Sequence, residues 1–247
     1  MAAQRPCERK RGEFIMQENQ LCAVTAENRA MVGFVGCDNE YLVIPPEVTL
    51  DGKCCPLSVI SGKAFLRCGS LTHVVVMDGY RLIGQNAFAD CSALTSVTLP
   101  ETVDKIGYGA FFGCKSLREI TMPKEAEEIS DSAFYGCRSL GSITIPRGIH
   151  RIGNLTFGAC LSLQGVSLPE GLLSIGESAF YTCSNLECIW IPESVVSLGR
   201  FIFVGCERLK EIYFGGTVEA WKRVRFRVQL GVKKVPVICA DGVVKLL

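Results

Sequence analysis

The stretch IGQNAFADCSALTSVTLP, residues 83–100, contains the pattern that decides the fold of this chain. The same pattern returns at residues 175–192 as IGESAFYTCSNLECIWIP. One phenylalanine stands at the same place in seven copies of constant length: Phe65, Phe88, Phe111, Phe134, Phe157, Phe180 and Phe203. A cysteine column follows in the same register: Cys68, Cys91, Cys114, Cys137, Cys160, Cys183 and Cys206. A fixed internal period of this length indicates a solenoid whose copies stack on their neighbours.

The end of each copy predicts a strand. Alternation directs Val97 and Leu99 inward and Thr98 outward, and Pro100 ends the strand because proline cannot donate to the ladder. The Ala-Phe-x-x-Cys-x-x-Leu segment has apolar residues at helical spacing, which predicts a short helical or 3₁₀ turn on the convex side. The fold predicted is therefore an α/β repeat solenoid of the leucine-rich repeat type, with seven 23-residue turns, a parallel β-sheet on the concave face and capped ends.

Four segments follow from the limits of the repeat. Residues 1–20 are polar and basic, and we expect a mobile N-terminal extension. Residues 21–59 contain three alternating stretches, which predict a hairpin-like N-terminal β cap. Residues 60–214 hold the seven repeats, and residues 215–247, where the period fails, are predicted to form the C-terminal cap.

The C-terminal cap has a helix signal of its own. Thr217 can N-cap a short helix at residues 218–224, in which Trp221 would seal the last turn of the solenoid. The stretches at residues 224–230 and 235–240 are predicted to be strands that complete the cap.

The fourteen cysteines raise the question of disulfides. We predict that the seven repeat cysteines are unbridged and buried as small apolar groups, since their Cβ vectors run parallel along the stack and cannot converge. Disulfides remain open for the cysteines outside this column: Cys7, Cys22, Cys37, Cys54, Cys55, Cys188 and Cys239.

Composition and charge limit the classes of function. Hydrophobic residues make up 48% and charged residues 21%, as in a folded protein, and the net charge of +1 provides no global attraction for nucleic acid. We expect no transmembrane segment, because no apolar run approaches the roughly 18 residues that a span requires. Residues 1–21 lack the apolar core of a signal peptide, and this leaves the compartment undetermined.

The sequence offers little for catalysis. His73 and His150 are the only histidines, and they are three repeats apart. No zinc-ligand spacing, metalloprotease motif or phosphate-binding loop occurs. We therefore predict that the protein is not an enzyme, with no catalytic residue, no cofactor and no metal site.

The repeat blocks resemble the BspA-like leucine-rich repeat family over residues 21 to about 240. The block Gly-Gly-Thr-x-x-x-Trp at residues 215–221 is similar to the closing segment of many such proteins. The resemblance implies a bacterial surface protein, tied to adhesion or host-matrix binding, and favours the cell envelope or exterior. Fourteen cysteines without a visible signal leave the cytoplasm open.

The candidate binding residues face outward from the predicted sheet, one in each repeat: Val75, Thr98, Thr121, Thr144, Ser167, Trp190 and Tyr213. Alternation turns Trp190 and Tyr213 outward on adjacent strands, so we predict that they dominate binding to a protein partner. An alternative is that the chain after Gly215 folds back over both rings. The function predicted is a noncatalytic protein-binding scaffold that acts through the concave face, and the family resemblance implies adhesion or recognition of a host or surface protein.

Two other functions remain as alternatives. Trp190 and Tyr213, or an imperfectly covered cap, could join two copies into a homo-oligomer. Arg223, Arg225 and Arg227 alternate, which predicts one basic strand face that could bind an anion or a nucleic acid. A charged edge that prevents aggregation also explains these arginines, and nucleic acid is the less favoured partner.

Overall fold

The computed structural model describes residues 14–17, 21–26, 29–34, 40–50, 53–226, 230–232 and 234–246. In this part of the chain, the repeats stack into a solenoid with two mainly parallel rows of strands. We call them the front sheet and the back sheet. Each repeat contributes one strand to each sheet, and the apolar residues between them form one continuous core.

The front sheet consists of the strands predicted from the alternation of apolar residues. Within three sections of this row, neighbouring strands from successive repeats pair in parallel and in register, with Val97 opposite Ile120 and Trp190 opposite Tyr213. The strands at residues 119–121 and 142–144, and those at residues 165–167 and 188–191, are neighbours without strand pairing. Its strands are β4 (Tyr41–Ile44), β7 (His73–Val76), β9 (Ser96–Thr98), β11 (Glu119–Thr121), β13 (Ser142–Thr144), β15 (Gly165–Ser167), β17 (Cys188–Ile191), β19 (Glu211–Phe214), β21 (Pro236–Cys239) and β22 (Gly242–Lys245). Only the last pair, β21 and β22, is antiparallel among these described strands.

The back sheet forms from shorter strands. Its members are β1 (Phe14–Gln17), β2 (Leu21–Ala26), β3 (Arg29–Phe34), β6 (Lys53–Ile60), β8 (Leu82–Ile83), β10 (Lys105–Ile106), β12 (Glu128–Ile129), β14 (Arg151–Ile152), β16 (Ser174–Ile175), β18 (Ser197–Leu198) and β20 (Arg225–Phe226). Strands β1, β2 and β3 pair antiparallel, and β3 continues in parallel to β6. Strand β1 lies within the segment that we expect to be a mobile extension.

The solenoid has about eight turns, so the count of seven needs correction. Strand β4 pairs in parallel with β7 and belongs to the front sheet, not to a hairpin-like cap. Between these two strands, β5 (Glu47–Leu50) pairs with β6 as an inserted hairpin. The insertion makes the step from Tyr41 to its partner His73 longer than one repeat. This turn therefore does not follow the 23-residue period and could not be recognised from it.

The prediction of helical turns in the repeats is wrong. The only helix in the described residues is α1 (Val218–Arg223) in the C-terminal cap. In the repeats the segment around the phenylalanine forms successive turns, with Asn86 and Asp90 in the left-handed region at φ 53° and 58°. A left-handed residue interrupts a right-handed helix, and the equivalent positions have positive φ in all seven copies.

These turns direct backbone groups to the next repeat. Phe65 N–H donates to Ala87 O at 2.7 Å, and Phe88 N–H donates to Ala110 O at 2.8 Å. The same bond recurs in later repeats. The turn side is therefore held between repeats by backbone hydrogen bonds, as the two sheets are.

The phenylalanines form the predicted spine. Neighbouring rings from Phe65 to Phe203 stack with centroids 4.9 to 6.0 Å apart and nearly parallel planes. All seven rings are buried.

The prediction that all seven repeat cysteines are unbridged is wrong at Cys68, which is disulfide-bonded. Its partner is not among the cysteines whose side chains the structure describes. The other six are free, and each donates to a phenylalanine carbonyl of the preceding repeat, as Cys91 Sγ does to Phe65 O at 3.0 Å. The parallel alignment of Cβ vectors prevents disulfides only between cysteines of the column. Cys68 is the first cysteine of the column, so its bond to a cysteine outside the column is compatible with that alignment.

The remaining cysteines divide by whether the structure describes them. Cys54, Cys188 and Cys239 are free, and Cys55 also keeps its thiol. Cys7, Cys22 and Cys37 lie outside the described side chains.

The C-terminal cap continues both sheets. Thr217 accepts a hydrogen bond from Ala220 N–H at 3.1 Å and N-caps α1, as predicted. Trp221 is buried on Phe214, with ring centroids 5.1 Å apart. Strand β20 pairs with β18, strand β21 with β19 and strand β22 with β21, so the cap adds one strand to the back sheet and two to the front sheet.

Candidate interaction surface

The predicted outward residues lie in one row on the front sheet. Val75 is opposite Thr98, Thr98 opposite Thr121, Thr144 opposite Ser167, and Trp190 opposite Tyr213. The four hydroxyl residues are exposed, and Val75 is half-buried. The middle of the row is thus a flat, polar surface of short side chains.

Trp190 and Tyr213 form an aromatic pair at the C-terminal end of this row. Ile189 and Ile191 are buried on either side of Trp190, and this fixes the indole on the outer face. The two ring centroids are 6.1 Å apart, with the planes inclined by 18°. Trp190 is 51% exposed, so the described C-terminal residues do not fold back over it. Strand β21 pairs beside β19 instead.

The tyrosine hydroxyl has a fixed partner. Tyr213 O–H donates to Glu211 Oε2, two residues before it on the same strand. This bond and the nearby negative charge raise the pKa of Tyr213. The hydroxyl therefore stays protonated at neutral pH, and its hydrogen bond to Glu211 restrains the orientation of the ring beside Trp190.

The apolar part of the row extends beyond the predicted residues. Ile238 lies opposite Tyr213, and Val243 lies opposite Ile238. Val243 is 60% exposed. We call Trp190, Tyr213, Ile238 and Val243 the platform. Sequence reasoning missed its second half, because β21 and β22 stand outside the repeat period.

A second apolar patch lies at the opposite end of the front sheet. Tyr41 and Val43 are exposed on β4, and Val43 lies opposite Val75. The ring of Tyr41 contacts His73, with centroids 5.9 Å apart. The sequence did not predict this patch, because its pattern places residues 41–44 in the N-terminal cap and not in the front sheet.

The structure does not place Arg223 on the predicted basic strand face. Arg223 is the last residue of α1 and lies 3.8 Å from Glu219, one helical turn earlier. Only Arg225 is on a strand, β20, where it is exposed. Arg227 lies outside the described residues. The helix places Arg223 and Arg225 on different elements, so their alternation in sequence has no counterpart on one strand face.

The two histidines have unrelated surroundings. His73 Nδ1 lies 2.9 Å from Thr72 Oγ1, and His150 Nδ1 lies 3.0 Å from Gly171 O. A cavity beside His150 is lined by acidic residues, and one of them, Asp131, is 3.5 Å from Arg151. The described side chains contain no group of three or more histidines, cysteines and carboxylates that could hold a metal ion.

One observation concerns membranes. Within the ranges that the structure describes, no helix combines the length and the apolar content that a bilayer crossing needs.

Comparison with known proteins gives a family match. The profile of the "BspA type Leucine rich repeat region" family matches six copies, over residues 58–164 and 127–235. No curated protein sequence matches the chain significantly.

Solved structures give a similar result. A leucine rich cell surface protein from Faecalibacterium prausnitzii is 30% identical over 84% of this chain, with a TM-score of 0.74. This chain spans 55% of the length of that protein. The T. pallidum leucine rich repeat protein is 28% identical over 83% of this chain and 91% of its own length, with a TM-score of 0.66. A leucine-rich repeat protein from Bacteroides ovatus, 24% identical over 95% of this chain and 72% of its own, has a TM-score of 0.63 and shows the fold alone.

Proposed function

Because the chain belongs to the BspA-type leucine-rich repeat family, we propose that it is a noncatalytic scaffold that binds another protein through the front sheet. The observation that carries this proposal is the exposed indole of Trp190, stacked on Tyr213. Solenoids commonly bind partners through such extended sheet surfaces.

The platform has the properties of a binding hot spot. The strands that carry its side chains are paired, so little backbone freedom is lost when a partner covers them. Trp and Tyr contribute large contact areas and dominate the binding energy at many interfaces. The hydroxyl row of Thr98, Thr121, Thr144 and Ser167 continues from it as a polar margin.

We further propose that the partner is a host or surface protein and that this protein acts at the cell envelope or outside the cell. The support is its 30% identity to a cell surface protein of F. prausnitzii. The exposed platform is consistent with recognition of an apolar patch on such a partner.

The experiment is a comparison of matched variants. Binding of the 247-residue chain to a panel of purified secreted and surface proteins is measured by surface plasmon resonance. For any partner, Trp190→Ala and Tyr213→Ala should each weaken binding by about 2 kcal/mol, roughly 30-fold, while folding stability falls by at most about 1 kcal/mol.

Val196→Ala is the control for loss of an exposed apolar side chain. Val196 is 57% exposed, directly before back-sheet strand β18. The Val196→Ala variant should bind the partner as tightly as the original chain does. Normal binding by both platform variants would move the contact surface elsewhere.

A further inference from the structure

Among the described strands, β22 is the last of the front sheet and has one unpaired edge. Its inner side pairs with β21, and no described strand pairs with its outer side. Val243 on this strand is 60% exposed and belongs to the platform.

The direction of the free backbone groups follows from the hydrogen bonds. Ala240 N–H donates to Gly216 O at 2.9 Å, on the side of β19. Backbone groups alternate along a strand, so Cys239 and Val237 face β22, where they pair with Gly242 and Val244. Val243 and Lys245 therefore direct their N–H and C=O groups away from the sheet.

We propose that a second copy of this chain pairs with this edge, β22 against β22, antiparallel about a two-fold axis. Val243 would lie opposite Val243 of the second copy. In this pairing the outward N–H and C=O groups of each Val243 form hydrogen bonds with those of the other. In this register Asp241, in the hairpin turn directly before β22, comes beside Lys245 of the second copy, and the reverse pair forms across the axis. Asp241 Oδ1 accepts a hydrogen bond from Val218 N–H, so Oδ2 is the oxygen that faces the lysine. A shift by two residues would place Val243 opposite Lys245 and lose both charge pairs.

This charge pattern favours a second copy over a foreign strand. A lysine on an edge strand discourages pairing with most strands. Here the same lysine meets an aspartate in the self-paired register, and opposite charges across strands are stabilising. The edge thus accepts its own sequence while it disfavours others.

The pairing would also double the platform. Trp190, Tyr213, Ile238 and Val243 lie on four successive strands of one sheet. Two copies joined at β22 would align two platforms into one apolar row, so a partner with a long or repeated apolar surface would contact both. This consequence rests on the proposed function, whereas the pairing itself does not.

The contact is small, so the dimer should be weak. A single strand buries less than the roughly 1,200 Å² of a stable interface. Sedimentation equilibrium of the full chain with reductant present, from about 10 μM to about 1 mM, covers the range expected for such a dimer.

Two substitutions test the charge pairs. Lys245→Glu places like charges opposite each other twice and should raise the dimer dissociation constant about tenfold. Asp241→Asn added to Lys245→Glu should bring the dissociation constant back about threefold, because it removes the repulsion without restoring the two opposite-charge pairs. Asparagine is chosen because Asp241 Oδ1 accepts a hydrogen bond from Val218 N–H at 2.7 Å, and the amide oxygen keeps that acceptor.

Val243→Pro tests the backbone contact. The Val243 N–H points outward, so proline removes the edge donor and leaves the bonds of the β21–β22 hairpin in place. This variant should be monomeric with a thermal midpoint close to that of the original chain. Trp190→Ala is the control, and its dimerisation should be unchanged.

Hydrogen exchange by NMR gives a readout that does not depend on variants. The amides of Val243 and Lys245 should exchange more slowly as the concentration rises, while the Val244 amide, which faces β21, should not change. A chain that stays monomeric up to about 1 mM overturns the proposal. So does a dimer that Lys245→Glu and Val243→Pro leave intact, or one that Trp190→Ala abolishes.

Discussion

The phenylalanine spine concentrates stability in single residues. The ring of Phe134 is fully buried, between Phe111 at 5.5 Å and Phe157 at 5.6 Å. Phe134→Ala should lower the free energy of unfolding by about 3 to 5 kcal/mol, because the stacked neighbours keep the cavity from collapsing. Urea denaturation at constant slope measures the loss.

Phe112→Ala is the matched control. Phe112 is 37% exposed and stacks on Tyr135 at the surface, with centroids 5.1 Å apart. Its truncation should cost about 1 kcal/mol, the contribution of a surface aromatic pair. Equal losses for Phe112 and Phe134 would contradict a buried spine.

The buried thiols should make the protein sensitive to alkali. Burial raises the pKa of the Cys114 and Cys137 thiols, and that of Cys160 to about 12 from 9.0. A raised folded pKa means that the native state holds the proton more tightly. The stabilisation is therefore fully present below pH 9 and is lost as the pH rises toward 12.

Cys160→Ala isolates this effect. Between pH 9 and pH 10 the original chain should lose about 1 kcal/mol more stability than Cys160→Ala, somewhat less than the value of one full pKa unit because the unfolded thiol is only partly ionised at pH 9. Denaturant midpoints of both proteins at pH 7, 9 and 10 measure the difference. Parallel pH profiles would show that this thiol ionises equally in the folded and unfolded chain.

At the scale of the element, the repeat turn depends on its left-handed residues. Gly136 has φ 74°, and a Cβ there would have ordinary contact at 3.6 Å with Gly113. Gly136→Ala should cost about 1 kcal/mol, since the left-handed conformation opposes a side chain and no clash adds to it.

Gly141→Ala tests the same exchange without the left-handed backbone. A Cβ at Gly141 meets nothing within 4 Å, and its φ is not positive. This change should be neutral or stabilise by up to about 1 kcal/mol, because alanine restricts the unfolded chain. If both variants lost the same stability, backbone conformation would not explain either.

The turn also shows where local sequence misleads. Ala87, Phe88, Cys91 and Leu94 have helical spacing, and all four are buried. They reach the core from successive turns, because backbone N–H groups alternate between a carbonyl three residues earlier and a carbonyl of the next repeat, and no continuous helix forms. The spacing of apolar residues therefore predicts which side chains are buried. The backbone conformation depends on hydrogen bonds between repeats, which this spacing does not predict.

At the scale of the whole molecule, each end of the solenoid needs a cover. Trp221 is 2% exposed and packs on Phe214, the last core residue of β19. Trp221→Ala should lower stability by about 3 to 5 kcal/mol, because it opens the last turn to water. Trp190→Ala, which removes the exposed tryptophan, should cost about 1 kcal/mol or less. Equal costs in urea denaturation would mean that Trp221 is not a seal.

The sequence by itself determined the repeat, the inward residues and the outward row. A constant period places Phe65 to Phe203 in one column, and strand alternation alone turns Trp190 and Tyr213 outward. The helix of the C-terminal cap was equally accessible, because Thr217 is a local N-cap signal. Each of these features depends on residues close together in the chain.

The tertiary structure decided the features that depend on contacts between distant segments. Strand β4 joins the front sheet by pairing with β7, and the hairpin inserted between them conceals this turn from any period. Cys68 forms a disulfide although the rest of its column is free. Ile238 and Val243 complete the platform only because β21 and β22 continue the front sheet. Pairing between strands depends on the partner's position in space, and a repeat pattern fixes that position only where the repeat itself continues.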